Sequence, residues 1–268
     1  MGLGAFTSVV GDAGLTVADA LDIPVTTGDA FTISVAVQAI RKAAEAMQID
    51  LANTSAAVVG ATGAIGRVCT ELLANDVAEL HLFGRNEEKL RKVQADVSKN
   101  SKTNLIISTD LQNLKNVKVI LTVSSAVNAI IQPDFLLPGS VICDVARPRD
   151  VAMSVAAIRD DVFVFDGGML DVPGSVNFNF DFGFPPGKAY ACMAETIALA
   201  LEGRFEDYTL GKHITRDRVD EITQIATKHG FKISGFRSFE RPVTPEQIDL
   251  IRKNAKSVNR ATVNNNAR

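Results

Sequence analysis

Three glycines at three-residue spacing, Gly60-Ala61-Thr62-Gly63-Ala64-Ile65-Gly66, follow the apolar run 56–59 and lead straight into a helical pattern. That order of strand, glycine turn and helix is suited to holding a pyrophosphate. Lacking a Cβ, Gly60 can make the tight turn, Gly63 lets a phosphate approach the backbone, and Gly66 lets the helix pack close to the strand. The phosphates then meet the N–H groups of a helix N-terminus. The spacing is G-x-x-G-x-x-G rather than the commoner G-x-G-x-x-G, so a purely structural strand-to-helix turn is the competing explanation.

The end of the next predicted strand, Leu82-Phe83-Gly84-Arg85-Asn86, bears on which dinucleotide is held. An NAD site places an acidic residue there to bond the ribose 2′-hydroxyl. Gly84 occupies that place, and Arg85 offers a planar fork suited to a 2′-phosphate, which favours NADPH. A solvated surface arginine is the alternative, and Glu87 lies close by. Ligands of open parallel sheets bind beyond the carboxyl ends of the strands, where Thr122, Ser124, Gly167 and Gly168 fall. Turn chemistry accounts for these four equally well.

A second kind of chemistry is offered by Cys192, in Pro186-Gly187-Lys188-Ala189-Tyr190-Ala191-Cys192-Met193-Ala194-Glu195. If Pro185-Pro186-Gly187 opens a helix over residues 188–202, the cysteine lies one to two turns inside it. The helix N-terminus and Lys188, four residues earlier, would both lower its pKa. A cysteine in an alanine-rich helix is also an ordinary packing residue, and the residues alone favour that. Cys69, in the cofactor helix, and Cys143, in a strand, read as packing. None of His81, His213 and His229 has a visible catalytic partner; Asp144, Asp166 and Asp181 could orient groups near the sheet edge, and caps and turns explain them as well.

These groups need elements to position them. The chain has 268 residues, 46% hydrophobic and 22% charged, enough for one large core or two modest ones. Continuous apolar strands near 56–60, 79–83, 104–108, 118–122, 140–144 and 162–166 alternate with helical or loop segments. They predict an α/β doubly wound parallel sheet, a Rossmann-like NAD(P)-binding fold, with both faces covered. Before it come a short strand at 5–10 and a helix at 30–47. After it come helices at 188–202, ending at Gly203, at 216–228, and from Thr244-Pro245-Glu246-Gln247 onward, where a capping box is spelled out. The expected division is a partial substrate domain with its connecting helix (1–50), a dinucleotide-binding domain (51–185) and a C-terminal helical region packing on both (186–268). The asparagine-rich tail 264–266 is expected to fray.

A net charge of −3 gives no general attraction to nucleic acid or to anionic membrane. No run approaches the length of a membrane span, and the start lacks the pattern of a signal peptide, so a cytoplasmic location is expected. Three widely spaced cysteines fit neither a disulfide framework nor a metal cluster.

An ordered series of motifs resembles the cyanobacterial long-chain acyl-ACP reductases, with the wider group of glutamyl-tRNA reductases and shikimate or amino-acid dehydrogenases behind them. It runs from Leu3-Gly4-Ala5-Phe6-Thr7-Ser8-Val9-Val10 and Thr26-Thr27-Gly28, through Gly60 to Gly66 and Arg85-Asn86, to Ala191-Cys192-Met193-Ala194-Glu195 and Lys228-His229-Gly230-Phe231. The resemblance implies NADPH-dependent reduction of a fatty acyl thioester of acyl-carrier protein or coenzyme A to an aldehyde. It implies Cys192 as nucleophile and an aldehyde-consuming enzyme as a partner. Backbone N–H groups or the Thr26-Thr27-Gly28 region are candidates for stabilising the oxyanion.

Members of that family usually carry about a hundred residues before the segment matching Leu3, which help form the acyl-binding domain. Asp144-Val145-Ala146-Arg147-Pro148-Arg149-Asp150 looks more like the glutamyl-tRNA reductases, and the segment after Ser234 has no family role. The alternatives are an NADP-dependent dehydrogenase of a small hydroxy or amino acid, and a non-catalytic NADP-binding module.

Overall fold

The computed structural model describes residues 1–4 and 11–266, with side chains as far as Val258. The strand expected at 5–10 lies outside the described residues. The chain forms two compact units, one of residues 1–38 and 167–234, the other of residues 39–166 and 235–268. The units do not follow chain order as the serial division at 50 and 185 does. The expected C-terminal region is shared out, its helix Arg216–Lys228 in the first unit and its helix Pro245–Asn266 in the second.

The second unit is built on six parallel strands: β1 (Ser55–Val59), β2 (Glu79–Phe83), β3 (Asn104–Ser108), β4 (Val119–Thr122), β5 (Val141–Asp144) and β6 (Phe163–Asp166). Their spatial order is β3-β2-β1-β4-β5-β6, the Rossmann order, with the direction of winding reversed between β1 and β4. The apolar residues of β1, β2, β4, β5 and β6 are buried, as a sheet covered on both faces requires, while in the edge strand β3 only Leu105 is. Register aligns the strand ends in one row, Ser108, Phe83, Val59, Thr122, Asp144 and Asp166, so the loops that follow leave from a common rim.

Packed with this sheet are α3 (Ala64–Leu73), α4 (Glu87–Ser98) and α5 (Met153–Ile158); α1 (Leu15–Asp19) and α2 (Asp29–Ala46) precede them in the chain. At the β6 edge, Phe236 meets Phe163 and Phe165 edge-on, with ring centroids 5.2 and 5.1 Å apart. Helix α8 (Pro245–Asn266) starts with the expected capping box: Gln247 N donates to Thr244 Oγ1 at 3.4 Å and Thr244 N to Gln247 Oε1 at 2.8 Å. It extends through residues 264–266, where a frayed tail was expected.

In the first unit, β7 (Met169–Asp171) is the centre of a three-stranded antiparallel sheet with β8 (Lys188–Tyr190) and β9 (Lys232–Ile233). Helices α6 (Ala191–Glu202) and α7 (Arg216–Lys228) complete it. Gly203, at φ 72°, ends α6 as a left-handed cap, a conformation that glycine takes at little cost. The helix expected from 188 starts three residues later, because Lys188–Tyr190 is drawn into the ladder with Met169–Asp171.

Candidate functional site

The glycine loop follows β1, beside the switch point of the sheet. Gly60 sits at φ +87°, and a Cβ there would come within 2.9 Å of Val123 O. A Cβ on Gly66 would lie 2.8 Å from the Gly60 carbonyl carbon, so helix α3 and the turn can touch only without a side chain there. Gly63 differs, with ordinary backbone angles (φ −75°) and its nearest would-be contact at 3.3 Å. Gly63 caps α3, but no side chain does, and helical bonding begins with Arg67 N to Gly63 O at 3.0 Å. The N–H groups of Ala64, Ile65 and Gly66 therefore remain for a ligand, with Ala61 and Thr62 in the turn before them. A pyrophosphate fits this cradle.

Arg85 follows β2 after Gly84, is exposed, and has no hydrogen-bond or ion-pair partner among the described residues. Thr122 and Ser124, at the end of β4, hold a loop. The buried carboxylate of Asp150 accepts from the Thr122 hydroxyl, from Ser124 N at 2.9 Å and from Ser124 Oγ at 2.5 Å. Thr122 is fully buried, so its hydroxyl is not presented to a ligand. Asp144 accepts from Val151 N at 3.0 Å and Ala146 N at 3.1 Å, and burial pushes its carboxyl up to about 6. The segment 144–151 is thus folded around two buried acids. Gly167 and Gly168 belong to the first unit, where Gly168 O accepts from Ala191 N at 2.7 Å and sets the start of α6.

Cys192 is the second residue of α6, nearer the helix N-terminus than the sequence suggested. Lys188 is outside the helix. It binds Asp171 Oδ1 at 2.5 Å and Ser234 Oγ at 2.5 Å, so the expected pairing with Cys192 along one helix face does not form. Burial pushes the Cys192 thiol up, and the charges of Asp29 and Glu195 push the same way. Only the N–H groups of Met193 and of Cys192 itself pull down. The expected low pKa is corrected: this thiol holds its proton at neutral pH and needs a base to release it.

The surroundings of Cys192 are made by residues without side chains and by acids. A Cβ on Gly4 would lie 4.0 Å from its Sγ, and one on Gly28 would strike the Cys192 backbone, 2.7 Å from its carbonyl oxygen. The next residue is Asp29, 6% exposed. Its carboxyl is pushed up to about 7 by burial first and by the charge of Glu195 second, against a lowering bond from Thr27. Its place at the head of α2 favours the charged form, but that effect is worth about 0.3–1 kcal/mol and is outweighed here. Glu195 is fully buried and accepts from Phe31 N and Thr209 Oγ1, each at 2.8 Å, and from the Thr26 hydroxyl. Thr26 and Thr27 are thereby committed to carboxylates rather than free to serve an oxyanion. Asp29 was legible in sequence only as a helix-start acid.

The other candidates are structural. Cys69 and Cys143 are fully buried; burial pushes the first up to about 12 and the second upward as well. His81 is buried against Glu79 at 2.7 Å, and His229 pairs with Glu202 at 2.7 Å. No group of residues with metal-ligand character occurs among the described residues.

Residues 41–167 match the family model of shikimate / quinate 5-dehydrogenase. Over 251 residues the chain is 30% identical to an aminotransferase, PigE, of Serratia sp., covering 92% of this chain and 29% of that protein. It is 28% identical to a long-chain acyl-[acyl-carrier-protein] reductase of Synechococcus elongatus over 214 residues, 77% of this chain and 61% of that protein. The chain therefore spans less than two thirds of either curated relative. Among solved structures, glutamyl-tRNA reductase from Methanopyrus kandleri superposes with a TM-score of 0.41 at 17% identity, over 83% of this chain and 43% of that one. Strand order and the family-model match agree that residues 41–167 form a Rossmann domain of the type found in NAD(P)-dependent oxidoreductases.

Gly66→Ala, blocked by backbone, should lower stability by about 1–3 kcal/mol in chemical denaturation. Gly63→Ala should leave stability nearly unchanged while weakening dinucleotide binding measured by titration calorimetry. Asp29 has an ordinary value of 3.8 in the unfolded chain and about 7 in the folded one, so folding holds its proton longer. Its contribution is complete below about pH 4 and is lost as pH rises toward 7. Asp29→Asn should thus gain on the wild type by a few kcal/mol, about 1.4 per unit of pKa shift, between pH 4 and pH 8, measured as the difference in unfolding free energy.

Proposed function

We propose that this chain is an NADPH-dependent reductase of fatty acyl thioesters, acting through a thioacyl intermediate on Cys192 and releasing aldehyde. The observation that carries it is the Cys192 surround: a thiol in the first turn of α6, close to Gly4 and Gly28, and within electrostatic reach of Asp29, an acid pushed up to about 7. A packing cysteine requires no such neighbour. The relationship to the acyl-ACP reductase supports the substrate class.

Asp29 takes the Cys192 proton as the sulfur attacks the thioester carbonyl carbon. The carbon–sulfur bond to the carrier then breaks, and Asp29 returns the proton to the departing carrier thiolate. A base of this pKa is matched to working near neutral pH. The N–H groups of Met193 and Cys192 steady the sulfur while it carries charge. When bound, NADPH would supply the hydride that reduction of the thioacyl group to aldehyde requires; the carbon–sulfur bond to Cys192 then breaks and its sulfur regains a proton from water. Gly60, Gly63 and the N–H groups of Ala64, Ile65 and Gly66 would hold the cofactor's pyrophosphate, and Arg85 its 2′-phosphate. The soluble acyl carrier, as protein or coenzyme A thioester, is the partner in this scheme. An aldehyde-consuming enzyme is the class of reaction that must follow.

The family-model match covers the dinucleotide-binding segment and stops before Cys192, which keeps a small-substrate dehydrogenase as the second reading. One substitution separates the two. With long-chain acyl-CoA and no NADPH, intact-protein mass spectrometry should show an acyl addition on Cys192 that NADPH discharges as aldehyde. Cys192→Ser should abolish both, whereas unchanged turnover of a small hydroxy acid in that variant would favour the dehydrogenase. Asp29→Asn should slow acylation by about 10²–10⁴ and flatten its pH dependence near 7. Arg85→Ala should raise KM for NADPH by about tenfold to a hundredfold and leave KM for NADH nearly unchanged.

A further inference from the structure

The segment between β7 and β8, residues 172–187, places phenylalanine at every second position from Phe178 to Phe184, alternating with Asn179, Asp181 and Gly183. The rings contact one another in series. Phe178 meets Phe182 with centroids 5.9 Å apart, Phe180 meets Phe182 at 4.7 Å, Phe182 stacks on Phe184 at 5.5 Å and 9°, and Phe184 meets Tyr190 edge-on at 5.2 Å. Folding does not hide this ladder: Phe180 is 70% exposed and Phe182 43%. A continuous exposed aromatic patch, unlike scattered apolar residues, marks a surface built to be covered.

Its inner end bears on what covers it. Tyr190, the last ring, is the N-cap residue of α6, two positions before Cys192. The ladder thus ends two residues along the chain from the candidate nucleophile, within one unit of the protein. Residues 172–187 contain no lysine or arginine and one acid, Asp181, so nothing there attracts an anionic lipid surface. An uncharged aromatic track instead suits a hydrocarbon chain tethered at its head.

We infer that the rings of Tyr190, Phe184 and Phe182, with Phe180 and Phe178 both set against Phe182, are the seat of the acyl chain whose thioester carbon Cys192 attacks, and that they set the preference for chain length. This rests on Cys192 acting on thioesters. Each methylene fully removed from water contributes ~0.8 kcal/mol, so chain extension along the rings should raise the acylation rate by up to about fourfold per methylene.

The test uses the full chain without NADPH and a series of saturated acyl-CoA thioesters from butyryl to palmitoyl, with Cys192 acylation followed by mass spectrometry. The wild type should acylate faster as the chain lengthens. Phe180→Ser combined with Phe182→Ser should flatten that dependence and keep the butyryl rate, and Phe180→Leu with Phe182→Leu should restore it. These two rings are exposed, so the substitutions remove little of the core. Equal length dependence in the serine variant and the wild type would overturn the inference while leaving Cys192 as nucleophile. A uniform loss at all lengths would overturn it too, because it marks a structural role. No adduct at any length, with protein that still binds NADPH, would overturn the thioester reading itself.

Discussion

The buried carboxylate of Glu195 is the constraint on which the candidate active site depends. Burial pushes this carboxyl up, and a polar group removed from water must be met by partners, which three segments supply: Thr26, the N–H of Phe31, and Thr209. Meeting that demand pins residues 26–31 against the first turns of α6. Gly28 then has to lie against the Cys192 backbone, and Asp29 comes to share a poorly solvated space with the thiol. Two acids in such a space cannot both ionise freely. Burial pushes both carboxyls up, that of Glu195 against the bonds from Thr26, Phe31 and Thr209 that pull it down, and that of Asp29 further through the neighbouring acid.

The dinucleotide cradle is organised by a different constraint, the hydrogen-bonded row of strand ends. Level strand ends place the glycine loop, Gly84-Arg85 and the acid-centred loop 144–151 along one rim. Here the buried acids serve the backbone. Asp144 and Asp150 accept N–H groups that a tight loop would otherwise leave unpaired.

Much of this was legible in the sequence. The six strands fall within a residue of their expected places, because parallel strands covered on both faces must be continuously apolar, and such runs are short and sharply bounded. Gly60 and Gly66 could be singled out because their roles are steric and local. Local pattern failed at Lys188, where pairing with Asp171 and Ser234 overrides the helix signal of Pro185-Pro186-Gly187. It failed also at Asp29, whose character comes from Glu195, a partner that meets this part of the chain 164 residues away at Phe31. No window of neighbouring residues contains that information.

The packing of Phe236 against Phe163 and Phe165 has a consequence for how the chain is made. β6 is an edge strand, and its covering residues emerge about seventy positions after it, once the whole intervening unit has been synthesised. At about 5–20 residues per second, the growing sheet keeps that edge open for about 4–14 s on the ribosome. Uncovered aromatic rings on a nascent sheet are a surface for association with other chains. Nascent chains halted between residues 166 and 236 should therefore be the most dependent on chaperone protection.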